Sequence, residues 1–320
     1  MILSVEISAQ WIHMVSARRR GRGVEIAGFG RIATPEGCVK NGIVVNSSQL
    51  GEALARVARE NGLRGKRMCL AVTSPAISFR ELEVPAAKPR DLDRILAEEA
   101  AHLSVSKQES LMDYVLLGET EREGKRFFRA WCAVTPRSLV DGYRDAVRKA
   151  GFSPEAFDVA SNAAFKAFQL DRDLSREETV ICAGVREDEL CLSLFGGEDG
   201  TRLYREAQVA APKSPVENEY ILSSLVPEAP DAESRQERLA RAATAQLSRL
   251  VQFQMMHDKR RPVRRIFLCS DLSDDPRLAG ELRETLRVDT APAAAPGGLR
   301  CPGDFPYSEY LYAVGAAIRL

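Results

Sequence analysis

Two apolar strand pairs of one kind, the first at the start of the chain and the second near its middle, limit the fold more than any other feature. The first lies in "MILSVEISAQWIHMV": Ile2, Leu3, Val5 and Ile7 read as a buried strand, Ser8, Ala9 and Gln10 as a polar turn, and residues 11–15 as the returning strand. The second is "TVICAGVREDELCLSLF", with strands expected over 179–183 and 189–195. A chain that opens on one hairpin and makes a similar one midway is expected to consist of two related halves, although their residues match only weakly. Its length agrees, because 320 residues at 45% hydrophobic content can bury about two cores.

The segments between the hairpins supply the rest of an α/β fold. "GVEIAGFGRIAT" predicts a third strand, and Asn46 or Ser47 caps a helix in which Leu50, Leu54, Val57 and Ala58 keep helical spacing until Asn61 and Gly62 stop it. "MCLAV" then reads as a strand buried on both faces. Residues 77–151 change character: a strand, a helix with Leu92, Ile95, Leu96 and Leu103 on one face, a hairpin around a charged turn at 119–125, and a second helix. This block is expected to be an inserted subdomain. "VPEAPDAES" and "APAAAPGG" are Pro- and Ala-rich and read as loops, and a long helix is expected over 233–257. "YLYAVGAAI" closes the pattern as a small-residue helix able to pack closely.

Composition excludes several classes of function. The 45 basic residues balance 45 acidic ones, so no overall field draws nucleic acid or an anionic membrane. Seven dispersed Cys and three distant His show no metal-ligand spacing and make a Ser-His triad improbable. Gly62, Gly65 and Lys66 lack P-loop spacing, and "GRGVEIAGFG" fails the dinucleotide fingerprint. The basic run "HDKRRPVRR" follows a helix C-terminus, where cations complement the dipole. No apolar stretch reaches the ~20 residues of a membrane span, and no secretory leader is recognisable. A cytoplasmic protein with reduced thiols is expected.

The order of elements resembles the type IV pilus assembly protein PilM family and its relative FtsA. "GFGRIATPEGCVKNGIVVNSSQLGEALARVARENGLRGKRMCLAVTSPAISFRELEVP" is similar to PilM sequences nearly throughout, and "LAEEAAHLSV", "MDYVLLG" and "VTPRSLVDGYRDAVRKAGFSPEAFDV" resemble the family's inserted subdomain and its exit. The ending "AVGAAIRL", with no amphipathic helix after it, is similar to PilM rather than FtsA. The resemblance implies an actin-like (ribonuclease H-like) two-lobed α/β fold with an inserted βαββα subdomain in the first lobe. The first lobe is expected over 1–76 and 152–178, the insertion over 77–151 and the second lobe over 179–320.

In such proteins the resemblance places a magnesium nucleotide between the lobes, its phosphates on the two hairpins and its adenosine near a Gly-rich turn. Each element needs small residues, since a Cβ obstructs left-handed backbone and close approach to phosphate. Here the candidate cleft residues are Glu6, Ser8 and Gln10 in the first hairpin, Asp158, Gly184 in the second hairpin, and Ser270 and Asp271 at the adenosine turn. Glu6 and Ile7 stand where Asp and Gly are expected, Val185 and Arg186 follow Gly184, and "CSDLS" replaces a run of glycines. A pseudo-ATPase with no catalytic residue, no metal and no required cofactor is therefore expected, with weak ATP binding still allowed. The resemblance further implies a scaffold for the cytoplasmic tail of a PilN-like single-span inner-membrane protein and for other pilus platform or motor components, without nucleic acid and without membrane insertion. The tail would lie in a groove formed by Ser78, Phe79 and Arg80 of an edge strand and Leu92, Ile95 and Leu96 of the following helix. The alternatives are an actin-like ATPase whose cleft still binds ATP and magnesium, and the cytoplasmic part of a type II secretion platform.

Overall fold

The computed structural model describes residues 1–20, 23–103, 109–170, 178–186, 189–196, 201–208, 235–269, 272–273 and 275–318. The opening hairpin is β1 (Ile2–Ile7) and β2 (Trp11–Arg20), followed by β3 (Gly23–Ala33) and two short pieces, β4 (Val39–Lys40) and β5 (Ile43–Val44). Helix α1 (Ser47–Glu60) starts where Asn46 accepts a hydrogen bond from the Gln49 amide at 3.1 Å. It leads into β6 (Arg67–Val72), whose residues beyond Arg67 are all buried. The inserted segment carries β7 (Ser78–Pro85), α2 (Pro89–Leu103), β8 (Ser110–Arg122) and β9 (Lys125–Pro136). Then come α3 (Arg137–Lys149), β10 (Ser153–Val159) and α4 (Ala160–Phe168). The second half holds β11 (Thr179–Val185), β12 (Glu189–Gly196), β13 (Thr201–Gln208), α5 (Arg235–His257), β14 (Val263–Cys269), α6 (Pro276–Leu286), β15 (Asp289–Pro292) and α7 (Tyr307–Ala317).

The two halves share one topology. The first sheet runs β10-β6-β1-β2-β3 and the second, read from the corresponding edge, β15-β14-β11-β12-β13. In both, the hairpin is antiparallel and the crossover strands join its first strand in parallel. The central strands are buried on both faces, as parallel strands covered by helices must be, and this explains the unbroken apolar runs. Helices α4 and α7 lie between the lobes: Ala160, Ala163, Ala164 and Ala167 pack with Leu311, Val314 and Ala317, and both sheets contribute to the same core through Ala71, Val180, Cys182 and Cys269. Gly315 permits this contact, since a Cβ there would stand 1.9 Å from the Ala163 carbonyl oxygen.

Two boundaries differ from expectation, and a third lies partly outside the described residues. α3 was expected inside the insertion, yet Leu139, Tyr143 and Val147 join the core formed by α1, β1 and β6, so the insertion is β7, α2, β8 and β9, a three-stranded sheet of order β7-β9-β8. α7, expected with the second lobe, packs against β1 and β2 as well as α4. The long helix is described from Arg235, and residues 233–234 lie outside the described residues.

Candidate functional site

The first candidate site is the cleft between the two hairpins. Glu6 is the penultimate residue of β1 and lies opposite His13 in the β1-β2 register, so both side chains leave the same face of the hairpin. His13 Nδ1 lies 3.1 Å from Glu6 Oε2. From the other lobe, Arg186 leaves the end of β11, its amide donating to the Glu189 carbonyl at 3.0 Å. Its Nη2 donates to Glu6 Oε1, its Nη1 to Cys191 Sγ at 3.1 Å, and the Glu189 carboxylate lies 3.3 Å away. The guanidinium stands over the Tyr312 ring of α7, 5.6 Å from its centroid. Glu6, His13 and Arg186 are 2%, 1% and 2% exposed.

A pair buried this deeply is held by its own electrostatics. Burial alone would push the Glu6 carboxyl up, but the Arg186 charge and the hydrogen bonds from His13 and Arg186 outweigh it and hold the group below the ordinary carboxylate range. Burial would likewise lower Arg186, and the Glu6 charge overrides it and keeps the guanidinium firmly protonated. The cluster ties β1 and β2 of one lobe to β11 and β12 of the other.

The remaining cleft residues turn inward. Ser8 Oγ donates to the Trp11 carbonyl at 3.1 Å and accepts from the Trp11 amide at 3.0 Å, closing its own turn. The Gln10 carbonyl accepts from the Thr34 amide at 2.9 Å. Gly184 sits inside the β11 ladder, opposite Cys191 and Cys269, not in a turn. Asp158 is in register with Glu6 through Ala71, about 10 Å away by strand spacing. Its carboxylate instead meets Lys166 Nζ at 2.7 Å and Asn162 Nδ2 at 2.9 Å. Ser270 and Asp271 lie outside the described residues. A carboxylate already neutralised by an arginine, with a guanidinium between the hairpins, does not fit the role of a magnesium ligand beside a phosphate.

The second candidate site lies beside the inserted sheet. A cavity of about 100 Å³ is walled on one side by Phe79, Trp131, Ala133 and three consecutive β8 residues, Asp113, Tyr114 and Val115. Phe157, Asp158 and Val159 at the end of β10, with Ser161 and Asn162 of α4, form the facing wall, and Phe195 of β12 also lines it. Phe79 and Trp131 stack with centroids 6.0 Å apart at 19°. Among the described residues β8 pairs only with β9. Asp113 and Val115 lie on the same side of the sheet as Phe79, Trp131 and Ala133, whereas the Tyr114 side chain turns to the opposite face, its hydroxyl donating to Asp93 Oδ1 at 2.6 Å. The cavity therefore sits on one face of the sheet and reaches the outer strand β8.

The residues expected to line a partner groove divide between two faces of this sheet. Phe79 faces the cavity. Leu92 and Leu96 are 3% and 0% exposed beneath the opposite face, packed with Val84, Ala130 and Cys132, and Ile95 is partly buried against them. Ser78 and Arg80 are exposed, and Arg80 Nη1 donates to the Phe79 carbonyl at 2.8 Å. Tyr114, Trp131, Phe157 and Asn162 were not foreseen. The alternation of "FFRAWCAV" carries the signal for Trp131, since Trp131 and Ala133 share one face and Ala130 and Cys132 the other.

Residues 4–186, more than half of the chain, match the family described as Type IV pilus assembly protein PilM. The chain belongs to that family. No curated protein matches it. Among solved structures, a chain of a PilM-PilN type IV pilus biogenesis complex is similar over 99% of this chain and 97% of its own, with 18% identity and a TM-score of 0.76. A Bacteroides thetaiotaomicron protein of actin-like ATPase fold and unknown function shares 11% identity over 99% of this chain and 96% of its own, with a TM-score of 0.50. A diol dehydratase-reactivating factor in nucleotide-free form shares 8% identity over 99% and 98%, with a TM-score of 0.51. The fold of this PilM-family chain is thus actin-like, and none of its described helices is long and apolar enough to cross a membrane.

Proposed function

We propose that this PilM-family protein is a non-catalytic cytoplasmic scaffold of type IV pilus assembly that holds an extended tail of a PilN-like inner-membrane protein. The cavity on the face of the inserted sheet, which reaches the outer strand β8, carries the reading. An open strand edge offers unpaired backbone groups to an added strand, and the Phe79–Trp131 stack beside it offers an apolar seat for one of the added side chains. The partner in the similar PilM-PilN complex supports the same assignment. The Glu6–Arg186 pair supports the absence of catalysis, because the groups that would orient phosphate and metal are committed to each other across the cleft.

The test is calorimetric titration of a peptide copying the cytoplasmic tail of the cognate single-span protein. Saturable binding at micromolar concentration, lost in Trp131→Ala and weakened by Val115→Pro at the β8 edge, is the expected result. Absence of heat, or binding indifferent to both changes, removes the scaffold reading. Magnesium-dependent ATP hydrolysis abolished by Glu6→Gln would put the ATPase reading in its place.

A further inference from the structure

The last turns of α5 expose what a buried helix end would hide. Phe253, Met255 and Met256 are 44%, 53% and 83% exposed. Gln252 and His257 are exposed as well, so this end of the helix stands out on all but one side. The remaining side is anchored by Leu250, 2% exposed, and by Gln254, whose Nε2 donates to the Arg261 carbonyl at 2.9 Å. His257 stacks on Phe253 with centroids 5.7 Å apart, which holds the two rings as one flat body at the tip.

Cations follow at once. Residues 257–265 contain five Lys and Arg against one Asp. Asp258 lies 3.8 Å from Arg261, and Glu178 lies 3.7 Å from Arg265. Lys259, Arg260 and Arg264 are exposed and have no acidic partner among the described residues. The helix C-terminus offers only about half a negative charge, enough to explain one cation and not three.

We infer that this helix end and the turn after it form a peripheral docking surface for anionic lipid headgroups. The cations meet the phosphates while Phe253, Met255 and Met256 enter the boundary between headgroups and acyl chains. A convex tip carrying flexible Met side chains suits a fluid surface that yields around it, whereas a protein partner needs a matching concavity. A nucleic acid accounts for the cations and leaves the apolar tip unexplained. The surface lies on α5 and β14 of the second lobe, apart from the β8 cavity, so it stands or falls independently of the tail-binding reading.

Sedimentation of the full chain with phosphatidylcholine vesicles, with and without roughly one-third phosphatidylglycerol, tests the assignment. Partition onto the anionic vesicles alone is expected at about 0.1 M salt, where the screening length is about 10 Å, with release as salt rises. Each cation near such a surface is worth about fivefold in partition, so Lys259→Glu with Arg260→Glu lowers binding about 25-fold or more. Phe253→Ser with Met256→Ser lowers it as well. Both pairs should keep the wild-type melting temperature and tail-peptide affinity, which shows that fold and β8 cavity are intact. No partition onto anionic vesicles, equal partition onto neutral ones, or full binding by either variant pair overturns the inference. Capture of polyglutamate or duplex DNA in place of vesicles also overturns it and assigns the patch to that polymer.

Discussion

Two crevices border the first lobe, and they differ in what has been left open. In the cleft between the hairpins, Glu6 and Arg186 are paired across the lobes, with His13, Glu189, Cys191 and Tyr312 packed around them. At the cavity beside the inserted sheet, a strand edge is unpaired among the described residues and a stacked aromatic pair lines the wall. One crevice has its polar groups answered from within, and the other presents groups that ask for a partner. An actin-like fold does not decide between nucleotide chemistry and peptide capture; the side chains placed in its two crevices do.

Removing one member of the buried pair should have the largest effect. Arg186→Ala leaves the Glu6 carboxylate in a dry interior without a counter-charge, a loss of about 3–5 kcal/mol. Replacing both partners, Glu6→Leu with Arg186→Met, removes the desolvation cost together with the attraction and should recover most of that loss. Denaturant unfolding of the three proteins gives the comparison directly. If Arg186→Ala costs less than about 1 kcal/mol, the pair behaves as a hydrated surface bridge and the contrast between closed cleft and open cavity disappears.

The cavity should respond in the opposite sense, with a large change in binding and a small one in stability. Trp131 is only half-buried and stacks on Phe79, so its loss leaves the inserted sheet largely intact. As a central apolar anchor it should contribute about 2 kcal/mol or more to tail binding, roughly a 30-fold rise in Kd for Trp131→Ala. A variant that loses stability and binding in equal measure would mean that Trp131 is core to the insertion and not part of a recognition surface.

Much of this was legible from periodicity, and the exceptions share a cause. The paired hairpins, the capped α1 and the close-packed α7 follow from apolar spacing, from Asn46 and from the small residues around Gly315. The placement of α3 with α1 did not, because a helix with Leu139, Tyr143 and Val147 on one face matches any apolar surface, and only the chain path selects which one. The same limit applies to Leu92 and Leu96: helical spacing marks them as buried without saying on which side of a three-stranded sheet. Glu6 was visible as a lone charge in the apolar run "SVEIS", and Arg186 as the first charge after the apolar "ICAGV", near the matching ends of two similar hairpins. Their meeting across the lobes is a tertiary fact that neither run contains.

The titration of Glu6 sharpens the contrast with surface ion pairs. Its folded-state pKa lies below the reference value of 4.5, so its contribution is fully present above that value and is lost as pH falls through the lowered folded pKa. Stability should therefore decline as the medium is acidified below about 4.5, and Glu6→Gln should flatten that part of the curve. Glu25 is held at about 2 by hydrogen bonds from the exposed Arg18 and Arg20 at the surface, and salt should screen that pair while leaving the Glu6 dependence in place. A wild-type acid profile that Glu6→Gln does not alter would show that the cleft pair is not coupled to folding.

The smallest expected effect is a null one, and it bears most directly on the cleft. A ligand at a hundredfold excess over its Kd stabilises a fold by roughly 2.7 kcal/mol, which a thermal melt registers as several degrees. Magnesium ATP at millimolar concentration should leave this melt flat, because the phosphates would have to displace Arg186 from Glu6 and bury the freed carboxylate beside their own charge. The paired variant Glu6→Leu with Arg186→Met separates two explanations for that flatness. If the clasp alone excludes nucleotide, the variant gains a melting shift; if the missing glycines matter more, it stays flat as well. We expect it to stay flat, since Gly184 lies within the β11 ladder and Ser8 closes its own turn, leaving no cradle of backbone amides to uncover among the described residues. A rise of several degrees in the wild-type chain would instead mean that the Glu6–Arg186 pair opens at modest cost, and the cleft would then belong with the β8 cavity as a second open site.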